Sequence, residues 1–335
     1  MMEGDISLDL ADDLTARARS EASQDDGLAD FAQAVLAGLA RPPRSIPCRF
    51  FYDATGSALF EAITGLDEYY PTRVETELLV AHGAEIARLA GGGRVLVEFG
   101  SGSSRKTSLL IQALGWVRAY VPIDIAAESL GEAAEWLTQQ HADLLIAPLI
   151  ADFTRADTLP VVARRGPRLG FFSGSTIGNL THVEAAAFLA NAARLLGPDS
   201  IFLLGVDLRK SPAILLPAYN DAQGITAAFN LNLLARINRE LGGDFDLARF
   251  AHEAVYVEGA GRIEMRLVSL TDQTVAVGAR DFAFAAGERI HTENSHKYSV
   301  AQFQTLAASA GWVPVKAWTD TDQLFSLHLL RVGRK

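Results

Sequence analysis

Residues 95–107 carry the residue types of a turn that binds a nucleotide-like ligand. An apolar stretch runs into Glu98, and a turn containing Gly100 and Gly102 follows it directly. Glycines at these positions remove the Cβ atoms that would keep the backbone away from a ligand. The segment therefore predicts a strand, a turn in close contact with a cofactor, and a helix.

The turn departs from the dinucleotide-binding pattern in a way that favours a cationic ligand. It lacks a third glycine, and Glu98, immediately before Phe99 and the first glycine, would repel a pyrophosphate. S-adenosylmethionine carries a sulfonium and an ammonium group and no phosphate, so charge favours it over NAD. Ser103 and Ser104 stand where they could cap the helix that continues over 107–114.

Two further predicted strands also end in acidic residues. Asp124 closes the stretch 121–124 and lies 22 positions after Gly102, the spacing at which an acid reaches ribose hydroxyls. The run 144–151 ends in Asp152 and Phe153, where an adenine ring could form hydrogen bonds and stack. Carboxyl ends of parallel strands meet at one edge of a sheet, so we expect the cofactor there.

The order of elements predicts an α/β protein with a doubly wound, Rossmann-like parallel sheet. Short apolar strands alternate with helices from about 74 to 210, including strands over 169–172 and 200–206. The pattern then changes to an inserted α+β unit, with a helix at 225–241 and strands at 262–269 and 273–278. A helix at 300–310 and two strands near 313–318 and 325–331 return to the main sheet.

The amino-terminal part is expected to lie outside the sheet. Residues 1–25 are polar and predicted to be loosely ordered, and a helix is predicted at 28–39, before Pro42 and Pro43. The aromatic- and glycine-rich stretch 50–72 is predicted to form a cover and not a core helix.

Composition argues against several classes of function. The 335 residues carry a net charge of −10, which opposes binding to nucleic acid or to an anionic membrane. Cys48 is the one cysteine, and the seven histidines show no ligand spacing, so no metal site is predicted. We find no signal peptide and no apolar run of membrane-spanning length, and expect a cytoplasmic protein. Oligomeric state is not predicted.

Several longer motifs resemble one enzyme family in the same order along the chain. Segments 51–60, 68–73, 100–107, 174–179 and 292–295 are similar to the histidine-specific Nα-methyltransferases of ergothioneine biosynthesis. The resemblance covers nearly the whole chain past residue 30. It implies a class I S-adenosylmethionine-dependent methyltransferase that converts L-histidine through mono- and dimethylated intermediates to the betaine hercynine, without a metal.

The resemblance also implies a division into two domains and a set of site residues. The expected cofactor domain comprises 73–210 and 298–335, and the expected substrate domain comprises 26–72 and 211–297. Together, the turn and the resemblance predict these cofactor contacts: Glu98, Gly100, Gly102, Ser103, Lys106, Asp124, Asp152 and Phe153. The predicted substrate contacts are Tyr69, Gly174, Asn179, Tyr219, Glu293 and Ser295, with Tyr52 as a possible proton relay.

Side-chain chemistry assigns these substrate contacts to the two ends of histidine. Asn179 and Tyr219 can donate to a carboxylate, whereas Glu293 and Ser295 can bond imidazole nitrogens. Water is the alternative to Tyr52 as a relay.

Simpler structural roles also compete for some of these residues. Tyr69 could pack a domain seam, Asn179 could cap a helix, and Met265 is expected in the core. Two other functions stay open: methylation of another aromatic amino acid such as tryptophan, and cofactor binding without turnover.

Overall fold

The computed structural model describes residues 27–102, 104–164 and 166–333, and within these ranges seven strands form the main sheet. Its strand order is β12-β13-β6-β5-β2-β3-β4. Neighbouring strands are parallel except β13, which runs antiparallel to both β6 and β12. The strands are β2 (Arg94–Phe99), β3 (Val117–Asp124), β4 (Leu149–Ile150), β5 (Arg168–Phe172), β6 (Ile201–Asp207), β12 (Trp312–Thr319) and β13 (Phe325–Val332).

Helices cover both faces of this sheet, which explains why its central strands are almost continuously apolar. In β2, Val95, Val97 and Phe99 join one buried cluster, while Leu96 points into the other. This alternation follows from the two-residue period of a strand. The helices of this layer are α3 (Tyr70–Ala90), α4 (Arg105–Leu114), α5 (Ala127–Gln140), α6 (His182–Leu196) and α9 (Val300–Ser309).

A second, antiparallel sheet lies in the inserted part of the described chain. Its order is β1-β11-β8-β7, and a separate hairpin joins β9 to β10. These strands are β1 (Arg44–Ser45), β7 (Phe250–Val257), β8 (Arg262–Ser269), β9 (Gln273–Val277), β10 (Arg280–Phe284) and β11 (Arg289–His296). The accompanying helices are α1 (described over 27–40), α2 (Ala54–Thr64), α7 (Pro212–Tyr219) and α8 (Ile225–Leu241).

Most of the predicted elements are confirmed, including the doubly wound α/β sheet and the closing helix and hairpin. The predicted strand 144–151 is regular only at Leu149–Ile150, and Ile146 pairs with Tyr120 of β3 in an isolated bridge before it. The stretch 50–72, predicted to form a cover and not a core helix, contains the helix α2. The buried residues of this helix are Gly56 and Ile63. Strands β1, β7, β10 and β11 were not predicted, and the prediction for 1–25 lies outside the described residues.

The fold also bears on the predicted division into domains and on the search for membrane-spanning segments. The two sheets fall in the two predicted sets of segments, but the domain boundaries themselves stay a prediction. In the described ranges, no helix is long and apolar enough to cross a membrane.

Candidate active site

The turn after β2 has the backbone conformation that a glycine loop requires. Gly100 has φ 70° and Gly102 has φ 49°, both in the left-handed region. A Cβ on Gly100 would lie 3.5 Å from the Phe153 ring, whereas one on Gly102 would meet nothing within 4 Å. The turn therefore faces open space at Gly102 and brings its backbone close to the predicted adenine-stacking ring. Ser103 lies outside the described residues.

Asp124 ends β3 beside this turn. Its carboxylate accepts hydrogen bonds from the Gly102 backbone N–H at 3.3 Å and from the Ala126 N–H at 3.1 Å. The side chain is only half-buried. A carboxylate has about four acceptor sites, so Asp124 keeps capacity for two ribose hydroxyls.

Asp152 and Phe153 lie at the same edge of the sheet, after β4. The Asp152 carboxylate accepts from the Thr154 N–H at 2.9 Å and from its hydroxyl at 2.6 Å. The Phe153 ring packs 5.3 Å from the Phe172 ring and remains half-buried. These contacts hold one carboxylate and one ring face in place, next to the glycine turn.

Glu98 supports the turn from beneath. It is 1% exposed, and its carboxylate accepts hydrogen bonds from the Thr107 hydroxyl at 2.6 Å and from the Tyr120 hydroxyl. Burial raises the pKa of Glu98 to about 8, so the carboxyl is largely protonated at neutral pH. Glu98 therefore adds little negative charge for selecting a cation, and its direct contact with the cofactor stays a prediction.

The prediction that the Ser104 side chain caps α4 is wrong. Ser104 occupies the N-cap position with φ 54°, but its side chain caps no backbone N–H. Its hydroxyl lies 3.2 Å from that of Tyr120.

A cavity of about 490 Å³, including its open mouth, lies beside the cofactor turn. All the predicted substrate residues line it, together with apolar residues that were not predicted for the site. The lining is Tyr52, Phe60, Ile63, Tyr69, Gly174, Thr176, Asn179, Ala218, Tyr219, Thr226, Phe229, Met265, Glu293 and Ser295.

Two of the competing structural roles can be judged from this cavity. The helix α6 is capped by Thr181, whose hydroxyl accepts from the Glu184 N–H, so Asn179 is not the cap. Met265 is 2% exposed and belongs to the hydrophobic core, as predicted, and it also lines the cavity. Tyr69 packs its ring 6.4 Å from that of Tyr219 in the cavity wall.

Glu293 supplies the acidic part of the cavity wall. It lies on β11 and is 8% exposed, and no described side chain donates a hydrogen bond to it. Burial raises the pKa of Glu293 to about 7, while the positive charge of Lys297 opposes this rise. Its carboxylate is thus available to a ligand that carries an N–H group.

Tyr219 and Ser295 do not lie apart in this cavity. Their hydroxyl oxygens are 2.7 Å from each other and share a hydrogen bond. Tyr219 and Ser295, called the hydroxyl pair below, both line the cavity, and the assignment of Tyr219 to the carboxylate and of Ser295 to the imidazole stays a prediction.

Tyr52 keeps its proton under all ordinary conditions. Burial raises its pKa well above the usual value, and the nearby Glu293 raises it further. A neutral hydroxyl both donates and accepts, so Tyr52 suits a relay and not a base.

Glu75 joins the cofactor side to the substrate cavity and was missed in the sequence. It is fully buried on α3, and one carboxylate oxygen accepts from Lys106 Nζ at 2.6 Å and from the Gly174 N–H at 2.8 Å. A Cβ on Gly174 would lie 3.5 Å from Lys106 Nζ. The available signal was an acid on the apolar face of α3, between Val74 and Leu78.

The sheet and its edge together define the class of this protein. A parallel sheet closed by an antiparallel hairpin, with a glycine turn and acidic strand ends at one edge, is that of a class I methyltransferase that uses S-adenosylmethionine. The open space at Gly102, the free acceptor sites of Asp124 and the half-buried Phe153 ring fit this cofactor.

Comparison with known proteins identifies the family. The family model for histidine-specific, S-adenosylmethionine-dependent methyltransferases matches residues 31–332. The chain is 42% identical over 329 residues to the histidine N-alpha-methyltransferase of Mycolicibacterium smegmatis, covering 97% of this chain and 99% of that one. The chain therefore belongs to the family of histidine-specific, S-adenosylmethionine-dependent methyltransferases.

Two relatives of lower identity also match most of this chain. Ergothioneine biosynthesis protein 1 of Neurospora crassa is 33% identical over 303 residues, which cover 87% of this chain and 34% of that protein. An L-tryptophan methyltransferase of Psilocybe serbica is 28% identical, over 90% of this chain and 92% of its own.

Proposed function

We propose that this enzyme transfers methyl groups from S-adenosylmethionine to the α-amino nitrogen of L-histidine until hercynine is formed, in ergothioneine biosynthesis. The observation that carries the proposal is the junction at Gly174. This residue lines the cavity with Glu293, Asn179 and the hydroxyl pair, and it also abuts Lys106, which follows the cofactor turn. A substrate amine bound in the cavity would therefore lie beside the bound cofactor. The cytoplasmic location stays a prediction.

The protein contributes mainly position and desolvation to this reaction. The bound cofactor supplies an electrophilic methyl group, and attack requires an unprotonated amine held in line with it. Aromatic walls from Tyr69, Phe60 and Phe229 exclude water around the reacting nitrogen.

Asn179 and Tyr52 support orientation and proton removal. Asn179 is half-buried in the cavity wall, and its amide can donate to the substrate carboxylate. The neutral Tyr52 hydroxyl can pass a proton from the amine toward solvent without itself ionising.

Histidine suits the polar part of the cavity better than tryptophan does. An imidazole offers one N–H donor and one nitrogen acceptor, whereas an indole offers a donor alone. Tryptophan could satisfy Glu293, but its ring would offer no acceptor to the one hydroxyl proton that the Tyr219 and Ser295 pair has left to donate. A protein that only bound the cofactor would not need this second, matched set of groups.

A binding and turnover experiment tests the proposal. Calorimetry with S-adenosylhomocysteine present should show binding of L-histidine and much weaker binding of L-tryptophan. Mass spectrometry after exhaustive turnover should show three methyl groups on the α-nitrogen, with Nα,Nα-dimethylhistidine also accepted as substrate. Preference for tryptophan would support the alternative substrate, and binding without methyl transfer would support the regulatory alternative.

A further inference from the structure

A fully buried lysine lies directly behind the polar wall of the cavity. Lys297 follows β11, its side chain is 0% exposed, and its Nζ forms an ion pair with Asp207 at 2.6 Å. The same nitrogen donates to the Tyr219 hydroxyl at 2.7 Å and to Ser295 Oγ at 2.8 Å. An ammonium group has three N–H donors and no acceptor. These three oxygens therefore use all the donors of Lys297.

The lysine determines what the hydroxyl pair can offer a ligand. Tyr219 and Ser295 have one hydroxyl proton each, and both oxygens accept from Lys297. Their mutual hydrogen bond at 2.7 Å uses one of these two protons. One hydroxyl proton is left, and it can only be donated outward. The pair thus presents a donor to an acceptor atom of the substrate.

Glu293, on the same strand as Ser295, presents a hydrogen-bond acceptor to the substrate. Glu293 and Ser295 are two positions apart on β11, so their side chains share a face, with roughly 7 Å between their Cα atoms. This spacing has room for a small ring between two hydrogen bonds of about 2.8 Å each. One neutral imidazole has the matching N–H group for Glu293 and the matching lone pair for the hydroxyl pair.

Lys297 also sets the charge of this wall. Among the described residues, the titratable groups that interact electrostatically with Glu293 are Cys48, Tyr52, Tyr69, Tyr219 and Lys297. Burial raises the pKa of the Cys48 thiol to about 12 and those of the three tyrosines well above their usual value. These four groups are neutral at working pH, so the favourable charge on Glu293 comes from Lys297.

We propose that Lys297 is a positioning residue that fixes the Tyr219 and Ser295 pair as a donor, so that the cavity binds the neutral imidazole of the substrate between this pair and Glu293. The inference rests on the proposed function, because it takes histidine as the substrate. It adds a residue that need not touch the substrate and a defined protonation state of the bound ring.

A second lysine provides a matched control. Lys210 donates to the other oxygen of Asp207 at 2.5 Å, to the Tyr70 hydroxyl at 2.7 Å and to the Leu208 carbonyl at 2.6 Å. It does not contact the hydroxyl pair. When either lysine is replaced, the other one still forms an ion pair with Asp207. Both single variants therefore keep this buried carboxylate paired.

The test uses calorimetry of L-histidine with S-adenosylhomocysteine present, from pH 6 to pH 8.5, on the wild type, Lys297→Met, Lys297→Arg and Lys210→Met. We expect Lys297→Met to weaken histidine binding by about tenfold or more, because the donor direction and charge are lost. Its loss of binding at low pH should begin at least about 0.5 pH unit higher, because Glu293 loses its favourable charge. Lys297→Arg should keep the wild-type onset, and Lys210→Met should bind histidine within about threefold of wild type.

Two outcomes would overturn the inference while leaving the proposed function intact. One is a Lys297→Met variant with an unchanged low-pH onset, and the other is equal weakening by Lys297→Met and Lys210→Met. A nitrogen NMR spectrum of ring-labelled L-histidine bound to the wild type shows whether the bound imidazole is neutral, even if Lys297→Met does not fold. One protonated and one unprotonated ring nitrogen support the inference, and two protonated nitrogens refute it. Failure of the wild type to bind histidine would instead refute the proposed function.

Discussion

The substitution Glu75→Gln tests whether the cofactor turn and the substrate cavity are held together by one buried carboxylate. Glu75 accepts from Lys106 Nζ and from the Gly174 N–H through the same oxygen. The glutamine side chain has the same shape and keeps one acceptor oxygen, so the packing against Gly205 survives. The change removes the negative charge that pairs with Lys106.

The expected size of the effect follows from this loss of charge. A hydrogen bond to a charged group contributes about 1.5–3 kcal/mol and one between neutral groups about 0.5–1.5 kcal/mol. The substitution should therefore cost about 1–2 kcal/mol at the junction, which is about 5–30-fold in affinity. Both ligands should be affected, because Lys106 lies on the cofactor side and Gly174 lines the substrate cavity.

Calorimetry measures both effects, with S-adenosylhomocysteine alone and then with L-histidine added. Glu77→Gln is the matched control, because Glu77 lies on the same helix and is exposed. It should stay within about twofold of wild type. If Glu75→Gln behaved like Glu77→Gln for both ligands, the junction would have no role in binding.

Four further predictions address the cofactor, the pH dependence, the role of Glu293 in the KM for histidine, and the product. Asp124→Ala should weaken binding of S-adenosylhomocysteine by about 1–3 kcal/mol, because charge-assisted hydrogen bonds are lost, and an unchanged calorimetric affinity would contradict this. Histidine affinity should rise as the pH increases through about 7, because the raised pKa of Glu293 leaves its carboxyl protonated, and a poorer acceptor, below that pH. In Glu293→Gln, only protonation of the ring of free histidine should make binding depend on pH, so a pH profile identical to that of the wild type would exclude Glu293 as the titrating group. Glu293→Ala should raise the KM for histidine by about tenfold or more. The product should carry all three methyl groups on the α-nitrogen, and fragmentation that located a methyl group on the ring would refute binding through both ends of the substrate.

Much of the cofactor side could be predicted because its signals are local. A strand is recognised from a short apolar run, and the residue that ends it is placed at the sheet edge by that assignment alone. Gly100, Gly102, Asp124 and Asp152 needed no knowledge of distant contacts. The role of Glu98 was harder to predict, because its burial beneath Thr107 and Tyr120, and hence its raised pKa, depends on packing.

The substrate side depended on motifs and not on physical reasoning about single residues. The cavity collects side chains from α2, α7, α8, β8 and β11 and from the loop after β5, which lie far apart in the sequence. Nothing near Met265 or Phe229 distinguishes a pocket residue from a core residue, because both are apolar and buried. The resemblance named the polar residues, but the physical patterns did not predict the apolar walls.

The sequence by itself determined the order of strands and helices in the main sheet, the glycine turn and the acidic strand ends, since these follow from periodicity and from the conformations that single residue types allow. Tertiary structure decided the electrostatics of the site. Glu75 and Lys297 act through partners that lie 99 and 78 positions away in the chain, Gly174 and Tyr219. The role of a buried charge depends on the hydrogen-bond donors and acceptors that folding brings close to it. These partners cannot be predicted from a local sequence pattern.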